Sequence, residues 1–165
     1  MQNWVDSNPY RMMRGQATAG PSAGNFSLVG LFNNDSGTSA LIVRDIQCIQ
    51  ITAQPFFFGQ VASNPGAVVA NAQRPLWYNR GMLSGQIVTA TPAAAPAFSD
   101  WSAGIQGNYS AVWGHDWPIA VIGPGECFYA ISQGVNSTMQ IAFVWVVRRM
   151  DELEHLIRSS APPEV

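Results

Sequence analysis

The clearest pattern in the chain is the alternation of side chains over residues 139–147. Successive side chains of a β-strand point to opposite faces, so each parity forms one face. One parity holds Met139, Ile141, Phe143, Trp145 and Val147, and the other holds Ala142, Val144 and Val146. An antiparallel strand that is apolar on both faces is predicted to be central in its fold or to be covered by another subunit.

A second long strand is predicted over residues 40–52, again with apolar residues on both parities. Strict alternation places Leu41, Val43, Ile49 and Ile51 on one face, and Ile42, Ile46 and Cys48 on the other. Residues 33–39, which precede this strand, are Asn, Asp, Ser, Gly and Thr. These residue types favour turns, so a hairpin-like turn is predicted between a strand at 26–32 and the strand at 40–52.

Shorter runs of β-branched and aromatic residues occupy much of the remaining chain. They lie at 55–58, 76–78, 86–91, 119–122 and 127–132, separated by connections rich in Pro, Gly, Asn and Ala. Many short strands without helical periods between them predict an all-β sandwich or barrel. The length of 165 residues fits a single domain.

The two ends of the chain depart from the strand pattern. Residues 1–24 show neither helical nor strand periodicity and are predicted to form an extended N-terminal arm. Residues 150–158 have helical spacing, with acids in the first turn and an arginine at the end, and predict a short C-terminal helix. The predicted organisation is therefore an arm at 1–24, a β-sandwich at 25–148, and a helix with a tail at 149–165.

Apolar and arginine residues in both ends indicate contact with other surfaces. Solvated tails rarely carry tryptophan, tyrosine and methionine together, so docking is favoured over a frayed terminus. A nine-residue helix is too short to be stable alone and must lie on its own sandwich or on a neighbour. The candidate interface residues are Trp4, Tyr10, Arg11, Met12, Met13, Arg14, Leu153, Leu156 and Ile157.

Composition adds that much of the surface is expected to be covered within an assembly. Charged residues make up 11% of the chain, against about 25% in ordinary globular domains, and there is no lysine. The net charge of -2 provides no basic field for nucleic acid. No run is long enough for a membrane helix, and the first residues lack the features of a signal peptide, which predicts synthesis in a cytoplasm.

Catalytic chemistry is not indicated by any motif. Phosphate loops, GxSxG, HExxH and CxxC patterns are absent from the sequence, and two histidines are too few for a cupin-like metal site. We therefore predict no enzyme activity, no cofactor and no metal. Cys48 and Cys127 each lie in an apolar run, which favours buried free thiols over a disulfide between neighbouring strands.

One segment could form a ligand loop. It contains Trp113, His115, Asp116 and Trp117. Aromatic faces beside a carboxylate and an imidazole could stack on a sugar and hydrogen-bond to it. The favoured alternative is that the tryptophans fill the end of the sandwich or a seam between subunits, because large aromatics are enriched in both places.

Two segments carry a resemblance to a known family. Residues 31–38, Leu-Phe-Asn-Asn-Asp-Ser-Gly-Thr, followed by the strand at 41–46, resemble an opening found in small β-sandwich proteins of tailed-phage virions. Residues 122–126, Ile-Gly-Pro-Gly-Glu, and the run 143–145 resemble the ending. The resemblance covers 26–147 and implies a jelly-roll-like fold and a structural place on a capsid or tail, with no catalytic residue.

The leading hypothesis is a virion structural protein, a decoration or cement subunit of the capsid. It would be made in the host cytoplasm, associate with itself, with a trimer favoured, and bind the major capsid protein or other virion proteins. The alternative hypothesis is a carbohydrate- or receptor-binding module of a phage tail or fibre, which would use Trp113, Asp116 and Trp117.

Overall fold

The computed structural model describes residues 12–50, 54–75, 84–94, 101–105, 110–114 and 118–153. These residues form two antiparallel β-sheets, which confirms the predicted all-β sandwich. The strands are Met12–Ala19 (β1), Leu28–Phe32 (β2), Ser39–Gln50 (β3), Gln54–Val61 (β4), Ala67–Val68 (β5), Gln73–Pro75 (β6), Gln86–Ala90 (β7), Trp101–Ile105 (β8), Ser110–Gly114 (β9), Ala120–Ile122 (β10), Cys127–Ser132 (β11) and Met139–Arg149 (β12).

Each sheet contains six strands. Sheet I has the order β10-β3-β12-β1-β6, and β9 also pairs with β3. Sheet II has the order β5-β7-β2-β11-β4-β8. The first four strands alternate between the sheets, so residues 33–38 connect β2 of sheet II to β3 of sheet I. The prediction of a hairpin-like turn there was wrong, because the two strands it joins do not pair.

The main hydrophobic core lies between the two sheets. All five residues predicted for one face of β12 are in this core: Met139, Ile141, Phe143, Trp145 and Val147. Sheet II adds an aromatic group in which Phe58 stacks on Phe128 at 5.7 Å and Phe128 meets Phe143 edge to face at 6.2 Å. β12 is thus central in its sheet, with β3 on one side and β1 on the other.

A β-bulge interrupts the pairing of β3 with β12. Val144 pairs with Asp45, whereas the next residue, Trp145, pairs with Val43, so Arg44 is the additional residue. One additional residue in a strand moves every later side chain to the opposite face. Arg44 and Asp45 are consequently both half-buried, while the residues on either side of them are buried in the core.

The bulge overturns the predicted faces of β3. Val43 shares the inter-sheet core with Ile46 and Cys48, although strict alternation separates them. Ile42 lies on the outer face of sheet I, where it packs with Leu153. The side chain of Ile49 and all of Ile51 lie outside the described residues.

Residues 12–19 form a strand and not the predicted arm. β1 pairs along its whole length with β12, and its exposure alternates strictly. Met13 is 1% exposed in the chain's own core, which corrects its assignment to an interface, whereas Arg14 is exposed. The strand was missed because Gly15, Ala17 and Ala19 are small, and small residues are weak strand signals. Gly15 is required here, since a Cβ would lie 2.6 Å from Cγ1 of Ile87.

The described part of the C-terminal helix, residues 150–153, lies on the chain's own sandwich. Leu153 is 7% exposed and packs with Ala40 and Ile42 on the outer face of sheet I. The Met150 amide donates to the carbonyl of Thr38 at 2.9 Å, which holds the start of the helix against that face. Leu153 is therefore internal and not an interface residue.

Met12, another predicted interface residue, lies in β1 and is half-buried. The other five predicted interface residues lie outside the described residues. They are Trp4, Tyr10, Arg11, Leu156 and Ile157. The predicted strand at 76–78 also lies there.

Candidate functional site

Charge is distributed very unevenly between the two sheets. The strands of sheet II contain no Asp, Glu, Lys or Arg. The strands of sheet I contain Arg14, Arg44, Asp45, Arg74, Arg148 and Arg149. The scarcity of charge in the whole chain is therefore concentrated in one half of the sandwich.

The outer face of sheet II carries a second hydrophobic cluster. Its members are Leu28, Val88, Cys127, Tyr129 and Ile131, and none of them is more than 2% exposed. Partly buried residues surround the cluster: Phe26, Phe32, Phe57, Val61 and Ala90. The centre of this face is consequently a second core within the chain, whereas Val68, which pairs with Val88 at the edge of the sheet, is 48% exposed.

Two glycines allow the centre of this cluster to pack closely. A Cβ at Gly59 would lie 2.5 Å from the hydroxyl oxygen of Tyr129. A Cβ at Gly30 would lie 2.7 Å from the sulfur of Cys127. Both glycines stand opposite Tyr129 on the two strands that flank β11. Tyr129 therefore lies where a side chain at position 59 would otherwise stand, and the Cys127 thiol lies where a side chain at position 30 would stand.

The two cysteines are free and buried on different sides of sheet II. Cys48 is in the core between the sheets, whereas Cys127 is in the cluster on the outer face of sheet II. Removal from water disfavours the thiolate, so burial raises the pKa of each thiol to about 12. Neither thiol is poised as a nucleophile at neutral pH.

The outer face of sheet I is mixed in character. Ala142 and Val146 of β12 are 8% and 4% exposed and Val144 is half-buried, so the chain itself buries two of the three apolar residues on this side. The surface of β1 is polar instead, with Arg14, Gln16 and Thr18 exposed. A covering subunit is thus not needed to explain the two-sided apolar pattern of β12.

A cross-strand row of charged residues crosses the outer face of sheet I. Arg74 of β6 pairs with Arg14 of β1, Arg14 pairs with Val144, and Val144 pairs with Asp45. Both arginines are exposed. Arg14 was predicted as an interface residue, but sequence reasoning missed Arg74, because the three-residue strand β6 has too few residues to show a period.

The candidate ligand loop leaves sheet I at the bulge. Trp113 of β9 pairs with Ile46 of β3, and its side chain lies outside the described residues, as do His115, Asp116 and Trp117. Pairing along this edge stops at Gly114 and resumes at Ala120, on either side of Arg44. The strand ends on either side of the predicted ligand loop therefore lie next to the bulge, a feature often found beside functional sites.

The two segments that carry the family resemblance meet at one end of the sandwich. The Asn33 amide donates to the carbonyl of Glu126, and the Gly125 amide donates to the carbonyl of Asn33, each at 2.9 Å. The buried side-chain amide of Asn33, through Nδ2, also donates to the carbonyls of Ser39, at 2.8 Å, and Ile122, at 3.1 Å. Asn33 thereby joins the connection at 33–38 to the connection at 123–126, and these hydrogen bonds hold the end of the sandwich together.

Asp35 organises the first of these connections. Its Oδ1 accepts hydrogen bonds from the amides of Gly37, Thr38 and Ser39 and from the hydroxyl of Thr38, at 2.7–3.1 Å. These donors favour the ionised carboxylate, so the backbone hydrogen bond from Thr38 leads the effects that lower the pKa of Asp35. The carboxylate closes the turn that carries the chain from sheet II to sheet I.

A small groove opens between the ends of β1 and β7. It has a volume of about 210 Å³ and is lined by Thr18, Ala19, Gly20, Thr89, Ala90 and Thr91. Ligand pockets commonly have volumes of roughly 300–1,000 Å³ and apolar linings. This groove is smaller and carries three threonine hydroxyls, so its fit is to water or a very small polar molecule.

Two other kinds of site are absent from the part of the chain that the structure describes. No helix there is long and apolar enough to span a membrane. No group of three or more His, Cys, Asp or Glu side chains there could hold a metal ion.

Comparison with known proteins gives no relative. No family model, no curated protein and no solved structure matches the chain.

Proposed function

We propose that this chain is a structural protein of a virion, a decoration or cement subunit that stabilises a capsid through protein–protein contacts. The strand order supports the jelly-roll part of this proposal. Within the two six-stranded sheets, β1-β12-β3-β9 of sheet I and β2-β11-β4-β8 of sheet II are two sets of four neighbouring strands. Along these eight strands the chain changes sheet at every step except from β4 to β8. Double-sheet jelly rolls of eight strands are common in capsid proteins.

The observation that carries the proposal is the contrast between the outer faces of the two sheets. Sheet II has no charged strand residue and a second apolar cluster, whereas sheet I exposes Arg14, Gln16 and Thr18 of β1 and Arg74 of β6. Two hydrophobic cores, one between the sheets and one on the outer face of sheet II, suit a rigid structural subunit. The exposed polar side chains of sheet I offer a surface for contact with another protein.

Copy number on intact particles tests the proposal. Particles from cells that express the chain with its virus would be purified, and the chain would be quantified by mass spectrometry against the major shell protein. Hundreds of copies on each particle are expected for a lattice subunit. A handful of copies would favour a tail position, and absence from particles would overturn the virion assignment.

Self-association is a separate part of the proposal, with a trimer favoured. Closed symmetry buries contact surfaces without open-ended growth, which suits a subunit that surrounds a symmetry axis. Light scattering of the purified chain over a range of concentrations measures this. A mass three times that of the 17.8 kDa chain is expected, and a monomer at every concentration would contradict it.

The alternative function is a carbohydrate- or receptor-binding module of a phage tail or fibre. The interruption of pairing along the sheet I edge opposite Arg44 favours it, because this interruption begins directly after Trp113 and Gly114. Binding to a glycan array that Trp117→Ala abolishes would support this function. An array without signal would remove it.

A further inference from the structure

Two arginines stand directly opposite each other on the outer face of sheet I. Arg14 of β1 and Arg74 of β6 are paired residues, and both side chains are exposed. Met13 and Gly15, on either side of Arg14, are buried toward the core, so the side chain of Arg14 points to the outer face. Arg74, its cross-strand partner, points to the same face. The two guanidinium groups therefore share one face at directly adjacent positions.

No acidic side chain among the described residues forms an ion pair with Arg14 or Arg74. The described ion pairs join Arg148 to Glu152 and Arg149 to Asp151, and neither Arg14 nor Arg74 has an ion pair with a described residue. Like charges directly opposite each other in a sheet are destabilising. Asp45, the acid in the same row, is two strands from β1, which is roughly 10 Å at the usual strand spacing.

We propose that Arg14 and Arg74 form a recognition site for two carboxylates of an acidic protein segment. The inference deepens the proposed function, on which it rests, by naming the chemistry of the partner surface. Each guanidinium presents a planar fork of donors that matches a carboxylate in a bidentate pair. Gln16 and Thr18, exposed farther along β1, extend the site with neutral hydrogen-bonding groups.

The charge balance selects a short acidic segment over a nucleic acid. The chain carries a net charge of -2, so no extended basic field surrounds the two arginines. Nucleic-acid sites neutralise many phosphates with a wide basic surface. Two adjacent arginines flanked by glutamine and threonine fit two carboxylates, because the local charge is +2 and falls away along the strand.

The test uses the full chain and a fluorescent hexaglutamate peptide, with binding followed by anisotropy at low and at physiological ionic strength. The variants are Arg14→Gln, Arg74→Gln and the double variant. Arg149→Gln is the matched control, since Arg149 is exposed but already paired with Asp151 at 2.7 Å. Thermal unfolding of each variant establishes that it is folded.

Each single variant is expected to weaken peptide binding at least tenfold, the double variant to abolish it, and the control to leave it unchanged. Equal weakening by Arg149→Gln would overturn the inference, because only the total charge would matter. The inference is also overturned if the native chain does not bind the peptide, or if duplex DNA of equal charge binds more tightly.

A particle-binding arm separates this inference from the proposed function. Shell particles that lack the chain are mixed with the native chain or with the double variant, and bound protein is measured by sedimentation. Native binding that the double variant loses supports both. If the native chain binds the peptide but not the particles, the proposed function fails while the site stands. If the double variant binds particles normally, the site is not the shell contact.

Discussion

The outer faces of sheets I and II differ sharply in chemistry within one small sandwich. On sheet II the central residues Val88 and Cys127 are fully buried, and the strands contain no charge. On sheet I, β1 exposes Arg14, Gln16 and Thr18. The low charge of the chain therefore has two meanings. The centre of the apolar half is already covered by the chain itself, so an external contact is expected on the polar half.

A charge placed on each face gives the largest expected difference. Val88→Asp puts a carboxylate where the native side chain is 0% exposed, which should cost more than about 4 kcal/mol and prevent stable folding. Gln16→Asp, on the exposed face of β1, should change the free energy of unfolding by less than about 0.5 kcal/mol. Denaturant titration measures both.

A milder variant keeps the test informative if Val88→Asp does not fold. Val88→Thr retains the shape and replaces one methyl group with a hydroxyl. At this buried position the free energy of unfolding is expected to fall by about 1–3 kcal/mol. A tolerated aspartate at position 88 would mean that the outer face of sheet II is open to solvent, and the contrast between the two faces would disappear.

Thiol reactivity compares the two cores directly. Burial raises the pKa of Cys48 and of Cys127 from 9.0 to about 12, and three pKa units reduce the thiolate fraction about a thousandfold. Both cysteines should therefore resist an aromatic disulfide reagent near pH 8 and react only after unfolding. Mass spectrometry of the labelled peptides distinguishes them. Rapid labelling of Cys127 alone would show that the second core opens before the first.

The faces of regular strands could be predicted from alternation, and the faces of β3 could not. Alternation in β12 correctly placed Phe143 and Trp145 between the sheets. In β3 the same rule failed beyond Val43, because the bulge at Arg44 adds one residue. Adjacent charges in an apolar strand are the one local signal of this bulge, since two charged neighbours are difficult to place on opposite faces of a buried strand.

The candidate site was only partly predictable, because cross-strand pairing is a tertiary property. Arg14 was selected from the sequence, but its neighbour Arg74 lies 60 residues later in a strand of three residues. The contact between the turns at Asn33 and Glu126 is of the same kind. Each residue type indicated a turn, and neither indicated which turn it would meet.

The turn between the sheets should respond to pH through Asp35. Its pKa is lowered from 3.8, so the carboxylate stabilises the fold fully above about pH 5, and this stabilisation is lost as the pH falls through the lowered pKa. Asp35→Ala should cost about 1 kcal/mol near neutral pH, because four hydrogen bonds to an exposed carboxylate are lost.

Unfolding curves at several pH values check this, with Ser36→Ala, an exposed neighbour, as the control. The difference between native chain and Asp35→Ala should shrink toward low pH. A difference that is independent of pH would mean that the side chain contributes through packing and not through its charge.

The smallest expected effect is also the most specific to the polar face. Arg14→Gln removes one of two like charges that are direct cross-strand neighbours, so it should raise the free energy of unfolding by about 0.2–1 kcal/mol. Added salt should reduce the gain, because screening weakens the same repulsion in the native chain. Arg149→Gln breaks an exposed ion pair and should give no gain.

If Arg14→Gln destabilises the chain, Arg14 has a favourable internal partner and Arg74 is not its main electrostatic neighbour. If it stabilises the chain while weakening acidic-peptide binding, the two arginines are held together at a cost to stability, as expected of a surface that binds an acidic partner.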